Sequence, residues 1–205
     1  MLSLPEYSSF AFSMFAMLTP FAAIPPFLSL TIGLTSPEKS RTAITAVSTA
    51  ALVLVIAAVA GEIILTSLGT SLESLRVGGG LVLLLTAISM LKPPLDELNR
   101  HDRDSTAAVA IVPLGVPLLA GPGSISLVIV EMREGAGIGH AVAVVTCVLA
   151  TCGAAWAILR FAEAIGARIG QSGLNALSRL FGLLLAATAI EIIGTGLRSL
   201  FPALG

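Results

Sequence analysis

Charged residues are sparse in this chain, and they mark where long apolar runs stop. The first uncharged run lies between Glu6 and Glu38. The second begins after Arg41, reaches Glu62 and extends toward Leu68. The third lies between Arg76 and Lys92, and it is short enough that both flanking cations are expected to snorkel outward. The fourth covers residues 105–130, the fifth lies between His140 and Arg160, and the sixth covers about 180–197 with Glu191 inside it. Crossing the hydrocarbon core of a bilayer takes about 20 apolar residues, so the pattern predicts six transmembrane helices.

Two of these helices cannot be continuous. Residues 19–30 read TPFAAIPPFLSL, and residues 113–130 read PLGVPLLAGPGSISLVIV. A proline has no N–H, so the carbonyl four residues back loses its helical partner. Pro20 and Pro25 free the carbonyls of Ala16 and Phe21, and Pro117 and Pro122 free those of Pro113 and Leu118. Under one constant shift Pro20 falls on Pro117, Ala23 on Ala120, Pro25 on Pro122, and Ser29-Leu30 on Ser126-Leu127. The breaks are copies of one another. The third and sixth runs match in the same order, GLVLLLTAI from Gly80 lying over GLLLAATAI from Gly182.

The expected fold is an all-α membrane protein of six transmembrane helices, arranged as two inverted three-helix repeats with broken first and fourth helices. The repeats are residues 1–92 and 105–205, joined by a polar cytoplasmic loop at 93–104, in one membrane domain. An odd number of spans per repeat makes the second copy enter from the opposite face, the architecture of many secondary transporters. With the N-terminus outside, the inner side holds Lys39, Arg41, Lys92, Arg100, Arg103, Arg160, Arg168 and Arg179, and the outer side only Arg76, Arg133 and Arg198. The positive-inside bias therefore places both termini outside.

Composition agrees. Of 205 residues, 56% are hydrophobic and 11% charged, against about 25% charged in a soluble domain, so the partner is the lipid bilayer. A net charge of -1 gives no basic surface for nucleic acid. The start, MLSLPEYSSF, lacks the basic region of a cleavable signal peptide. Cys147 and Cys152 share one apolar run on different helix faces, about 100° per residue apart, and read as unpaired small residues.

The chemistry is sought at the breaks. Proline suits the first turn of a helix, so Pro25-Pro26 and Pro122 are expected to open second half-helices. Their first amides, around Phe27 to Ser29 and Gly123 to Ile125, would face the break and favour an anion such as a carboxylate. Gly121 and Gly123 let backbone approach a ligand closely. The expected small-molecule site comprises Thr19, Pro20, Ala22, Ala23, Pro25, Phe27 and Ser29 with Ala120, Gly121, Pro122, Gly123, Ser124 and Ser126. Glu191, an ionisable group inside a run, is a candidate for a substrate ammonium or a coupling proton. Thr86, Ser89 and Thr188 either line a pore or hydrogen-bond between helices. His101 and His140 read as loop residues, so no metal cluster is expected. No Ser/His/Asp set, HExxH or phosphate loop is present, and the chain is not expected to be an enzyme.

The stretch PLGVPLLAGPGSISLVIV resembles the P-L-x-x-P-L-x-A-G-P-G signature of the MarC / small neutral amino acid transporter family. TPFAAIPPFLSLT resembles the family's first-span motif, D/N-P-x-G-x-x-P-x-F-L-S-L, and RVGGGLVLLLTAI and RLFGLLLAATAI also fit. The resemblance covers nearly the whole chain. It implies a multi-pass protein of the bacterial or archaeal cytoplasmic (inner) membrane that transports glycine, alanine, serine and similar neutral amino acids, without a cofactor but with possible coupling to H+ or Na+. Thr19 departs from the family's Asp or Asn, Phe21-Ala22-Ala23 from a Gly-containing stretch, and Glu191 from Gln. Secondary transport is the leading function. An exporter or channel for another small solute is the alternative; counterflow separates carrier from channel.

Overall fold

The computed structural model describes residues 4–91 and 110–201. The polar segment expected at 93–104 lies outside them. Every regular element among the described residues is helical. In chain order these are α1 (Leu4–Leu18), α2 (Ile24–Leu30), α3 (Ser36–Ser67), α4 (Leu72–Leu91), α5 (Ala110–Leu119), α6 (Pro122–Glu134), α7 (Ile138–Gly170) and α8 (Ser172–Leu200).

Four of them, α3, α4, α7 and α8, are long and apolar enough to cross a membrane. The other four are two short pairs, α1–α2 and α5–α6, at the two proline-rich stretches. Local chemistry sets the ends. Thr35 opens α3 with a capping box, its amide and hydroxyl both donating to the Glu38 carboxylate at 2.8 and 2.7 Å. Gly69, at φ +63, follows α3, and Gly170, at φ +72, divides α7 from α8. A left-handed residue ends a helix most cheaply when it has no Cβ.

The fifth and sixth runs are longer than the charge pattern implied. α7 has 33 residues and α8 has 29. At about 1.5 Å per residue α7 exceeds the roughly 30 Å hydrocarbon core. Arg160, Glu163 and Arg168 thus ride on the same helix as the apolar run, and a charge does not mark where the helix ends.

The bundle is small inside and bulky outside. Ala43, Ala46, Ala50 and Ala155 are fully buried, whereas Ile63, Leu85, Leu183 and Phe161 are exposed. That suits lipid contact, where helices associate through close packing of small residues. The closest seam joins α4 and α8, which run antiparallel. A Cβ on Gly80 would lie 3.3 Å from the Ala189 carbonyl, and one on Gly182 would lie 3.1 Å from the Ala87 carbonyl. The contacts are reciprocal: Gly80 and Ala87 face Ala189 and Gly182 under the register that superposes the two TAI stretches.

The short pairs each lie along a long helix in parallel. Tyr7 of α1 bonds to His140 near the start of α7, Leu28 of α2 packs on Gly166 farther along it, and Lys39 in the first turn of α3 pairs with Glu163 at 2.8 Å. Gly115 of α5 packs on Ala46 and Thr49 of α3, and Arg133 of α6 pairs with Glu62 at 3.3 Å.

Candidate functional site

The first break is made by tight turns. The amides of Thr19, Ala22 and Ile24 each bond three residues back, to Ala16, Thr19 and Phe21, at 3.2, 2.9 and 3.2 Å. Thr19 has φ +43, the one positive φ outside glycine among the described residues. The following Pro20 steers it away from the right-handed helical region, and a left-handed β-branched residue costs on the order of 1–3 kcal/mol. Its hydroxyl is buried without a hydrogen-bond partner. Pro25 and Pro26 occupy the first turn of α2, as expected. Pro20, Ala22, Ala23, Pro25 and Phe27 are buried.

The second break is wider. Within α5 the backbone is π-helical, and the Ala120 amide reaches five residues back to Gly115 at 2.9 Å. Gly121 is extended (φ -81, ψ 170), and Pro122 opens α6. The Ser124 hydroxyl shares its hydrogen between the carbonyls of Gly121 at 2.9 Å and Leu119 at 3.3 Å. Ala120, Gly121, Pro122, Ser124 and Ser126 are buried, and the Ser126 hydroxyl has no partner.

The second break meets the helix that leads into the first. A Cβ on Gly123 would lie 3.1 Å from Met17 Sδ, in the last turn of α1, and 3.0 Å from Ile192 Cδ1 of α8. Pro122 packs so closely on Gly79 of α4 that no side chain fits there. Beside the first break, between α1 and α8, lies a cavity of ≈ 210 Å³ walled by Thr19, Pro20, Phe181 and Thr188 among others, with no ionisable residue in its lining.

Several expectations are corrected. The Phe27 amide does not face the first break; it closes a helical turn on Ala23 at 3.0 Å, and Ser29 is exposed. With seven residues, α2 also lacks the length to build a strong dipole. At the second break the Ile125 amide is engaged with Gly121 at 3.0 Å, which leaves Gly123 and Ser124 as the opening amides. Glu191 is exposed, while its neighbour Ile192 turns inward to Gly123. The hydroxyls of Thr86, Ser89 and Thr188 donate to carbonyls of their own helices, at 3.0, 2.7 and 3.0 Å, rather than between helices. Cys147 and Cys152 are free thiols. No group of three or more metal-ligating side chains is found among the described residues.

His140 was misread as a loop residue. It lies in the first turn of α7 and is 1% exposed, its ring stacked over Gly135. The one signal was the glycine at Gly135, which clears space for the ring. Met17 and Ile192 were also missed, since an ordinary apolar residue in an apolar run carries no mark of what it touches.

The pattern that defines the MarC family integral membrane proteins matches residues 4–201. The chain is 34% identical to UPF0056 membrane protein YhcE of Escherichia coli, over 98% of this chain and 95% of the relative. It is 37% identical to a UPF0056 membrane protein of Methanocaldococcus jannaschii, over 94% and 97%, and 31% identical to UPF0056 membrane protein YvbG of Bacillus subtilis, over 94% of each. These names state membrane location and no substrate. No solved structure matches the chain.

Proposed function

We propose that this chain, which belongs to the MarC family of integral membrane proteins, is a secondary transporter of small neutral amino acids. It carries glycine, alanine and serine across the cytoplasmic membrane, and it is built as two inverted three-helix repeats with both termini outside. One observation carries the site. The buried side-chain oxygens without a partner among the described residues are Thr19 Oγ1 and Ser126 Oγ, one beside each break. A buried unpaired hydroxyl is costly, and its persistence calls for an explanation such as a ligand. Irregular backbone at membrane depth is likewise tolerated where it is buried in protein or lines a cavity.

The repeat reading is supported by contacts that come in pairs. The Gly80–Ala189 approach is answered by Gly182–Ala87. Gly69 and Gly170 are both left-handed ends of a long helix. Lys39–Glu163 ties the start of α3 to α7, and Arg133–Glu62 ties the end of α6 to α3. Parallel pairing of α1–α2 with α7, and of α5–α6 with α3, together with antiparallel α4 and α8, is the pattern of six alternating crossings. The substrate class rests on the family resemblance and on the chemistry. The amides of Gly123 and Ser124, opening a 13-residue helix, suit a carboxylate, and Met17 and Ile192 limit the volume beside them.

The test is counterflow. Proteoliposomes preloaded with unlabelled glycine should accumulate labelled glycine transiently, with alanine and serine competing and leucine not. Simple equilibration without overshoot would make the protein a channel, and no glycine flux would reject the substrate class. Topology is tested separately, by single cysteines in a Cys147→Ala, Cys152→Ala background. Labelling of residues 93–104 from the same side as the termini would reject the inverted repeat.

A further inference from the structure

At one end of the bundle three helix ends converge on His140. The phenol of Tyr7, in α1, lies 2.8 Å from His140 Nδ1, and His140 Nε2 lies 2.9 Å from the Glu131 carbonyl oxygen in the last turn of α6. The rings of Tyr7 and His140 are 5.7 Å apart. A carbonyl can only accept, so Nε2 must carry a hydrogen. In the neutral imidazole Nδ1 is then bare and accepts the Tyr7 O–H. In the cation Nδ1 carries a hydrogen and donates to the Tyr7 oxygen. A phenol can play both parts, so both charge states fit one arrangement of heavy atoms.

We propose that His140 is a proton-binding site served by Tyr7. The imidazole is 1% exposed, whereas Tyr7 is only half buried, so Tyr7 is the route to water. Tyr7 passes its hydroxyl proton to Nδ1 as its oxygen takes one from hydronium. The net change is one proton from hydronium to the imidazole, leaving water, with the phenol restored and its O–H turned outward. The bound charge sits on a carbonyl of the last turn of α6, where helical acceptors lack amides and a cation is favourable. It is thus felt by the helix whose other end forms the second break.

The charged and titratable groups around this junction are Glu6 and Tyr7 from α1, Glu131 and Glu134 from α6, and Cys147 from α7. The Glu131 carboxylate interacts electrostatically with His140, Glu134 and Glu6. Cys147 contacts the Tyr7 carbonyl at 3.8 Å and interacts with Glu131. The ring packs so closely on Gly135 that a Cβ there would lie 2.5 Å from His140 Nδ1.

The site can be tested without any transport assay. The full chain carrying His101→Gln, labelled with 15N-histidine in micelles, is titrated by NMR from pH 9 to pH 5. The neutral form should be the Nε2–H tautomer, and acid should convert it to the doubly protonated ring. Tyr7→Phe removes the acceptor for Nδ1–H and leaves a buried charge unpaired, so protonation should need at least tenfold more acid. His140→Gln should preserve both hydrogen bonds and lose at least half of the difference in Tm between pH 9 and pH 5. An Nδ1–H tautomer at pH 9, no protonation by pH 5, or a wild-type titration in Tyr7→Phe would overturn the proposal. So would a wild-type pH dependence of Tm in His140→Gln, which decides the matter if Tyr7→Phe does not fold.

Discussion

The two breaks start from the same proline spacing and end in different backbones. The second has Gly121 and Gly123, so it opens through a π-helical turn and an extended glycine into α6, with no strained residue. The first has Ile24 and Pro26 at the positions that Gly121 and Gly123 take in the second, and without a glycine the reversal falls on Thr19 at φ +43. The second break engages the Ser124 hydroxyl with its own carbonyls; the first leaves the Thr19 hydroxyl unpaired beside a cavity. Proline fixes where a membrane helix breaks, and the neighbouring glycines decide whether the break is relaxed or strained. We read the relaxed break as the anion seat and the strained one as the part that moves.

The largest expected effect is at the relaxed break. Gly123→Val puts branches against Met17 and Ile192 and should cut glycine uptake about 100-fold or more, equivalent to about 2.7 kcal/mol, in a protein that still inserts and purifies as one species. Pro122→Ala restores a helical N–H and should cost about tenfold in uptake. Wild-type rates in both would reduce the break to a kink. At the strained break, Thr19→Gly should raise stability by about 1 kcal/mol, read as a higher Tm, while slowing uptake severalfold. No gain in Tm would mean the left-handed Thr19 is not strained. The smallest effect belongs to the ion pairs. Glu62→Gln and Glu163→Gln should each cost less than about 1 kcal/mol, as exposed pairs do; a larger loss of Tm in either would show that its pair is worth more than an exposed one. Cys147→Ala is the control for uptake and should leave it unchanged.

Much of this was legible in the sequence because backbone chemistry speaks locally. Pro122, Pro25 and Pro26 were placed correctly at helix starts since a missing N–H is tolerated there. The match of Gly80 with Gly182 was legible as a repeat, whereas the reciprocal contacts it makes across α4 and α8, Gly80 with Ala189 and Gly182 with Ala87, were not. What failed depended on three dimensions. Glu191 and Ile192 differ by one residue, about 100° of helix, and that rotation sends one outward and the other onto Gly123. His140 looked like a loop residue because its partners, Tyr7 and Glu131, come from other helices. The π-helical bonding of α5 left no mark beyond its prolines.

The central claim is that the two breaks are halves of one small-molecule site. Equilibrium binding of labelled glycine to the purified full chain tests it most directly, in wild type, Thr19→Val, Ser126→Ala and the double variant. Each single change removes a hydroxyl while sparing the backbone, and should weaken binding about five- to tenfold, in line with about 1 kcal/mol for one hydrogen bond. The double variant should lose less than the product of the two, as expected for residues sharing one ligand. Wild-type affinity in both single variants would contradict the account.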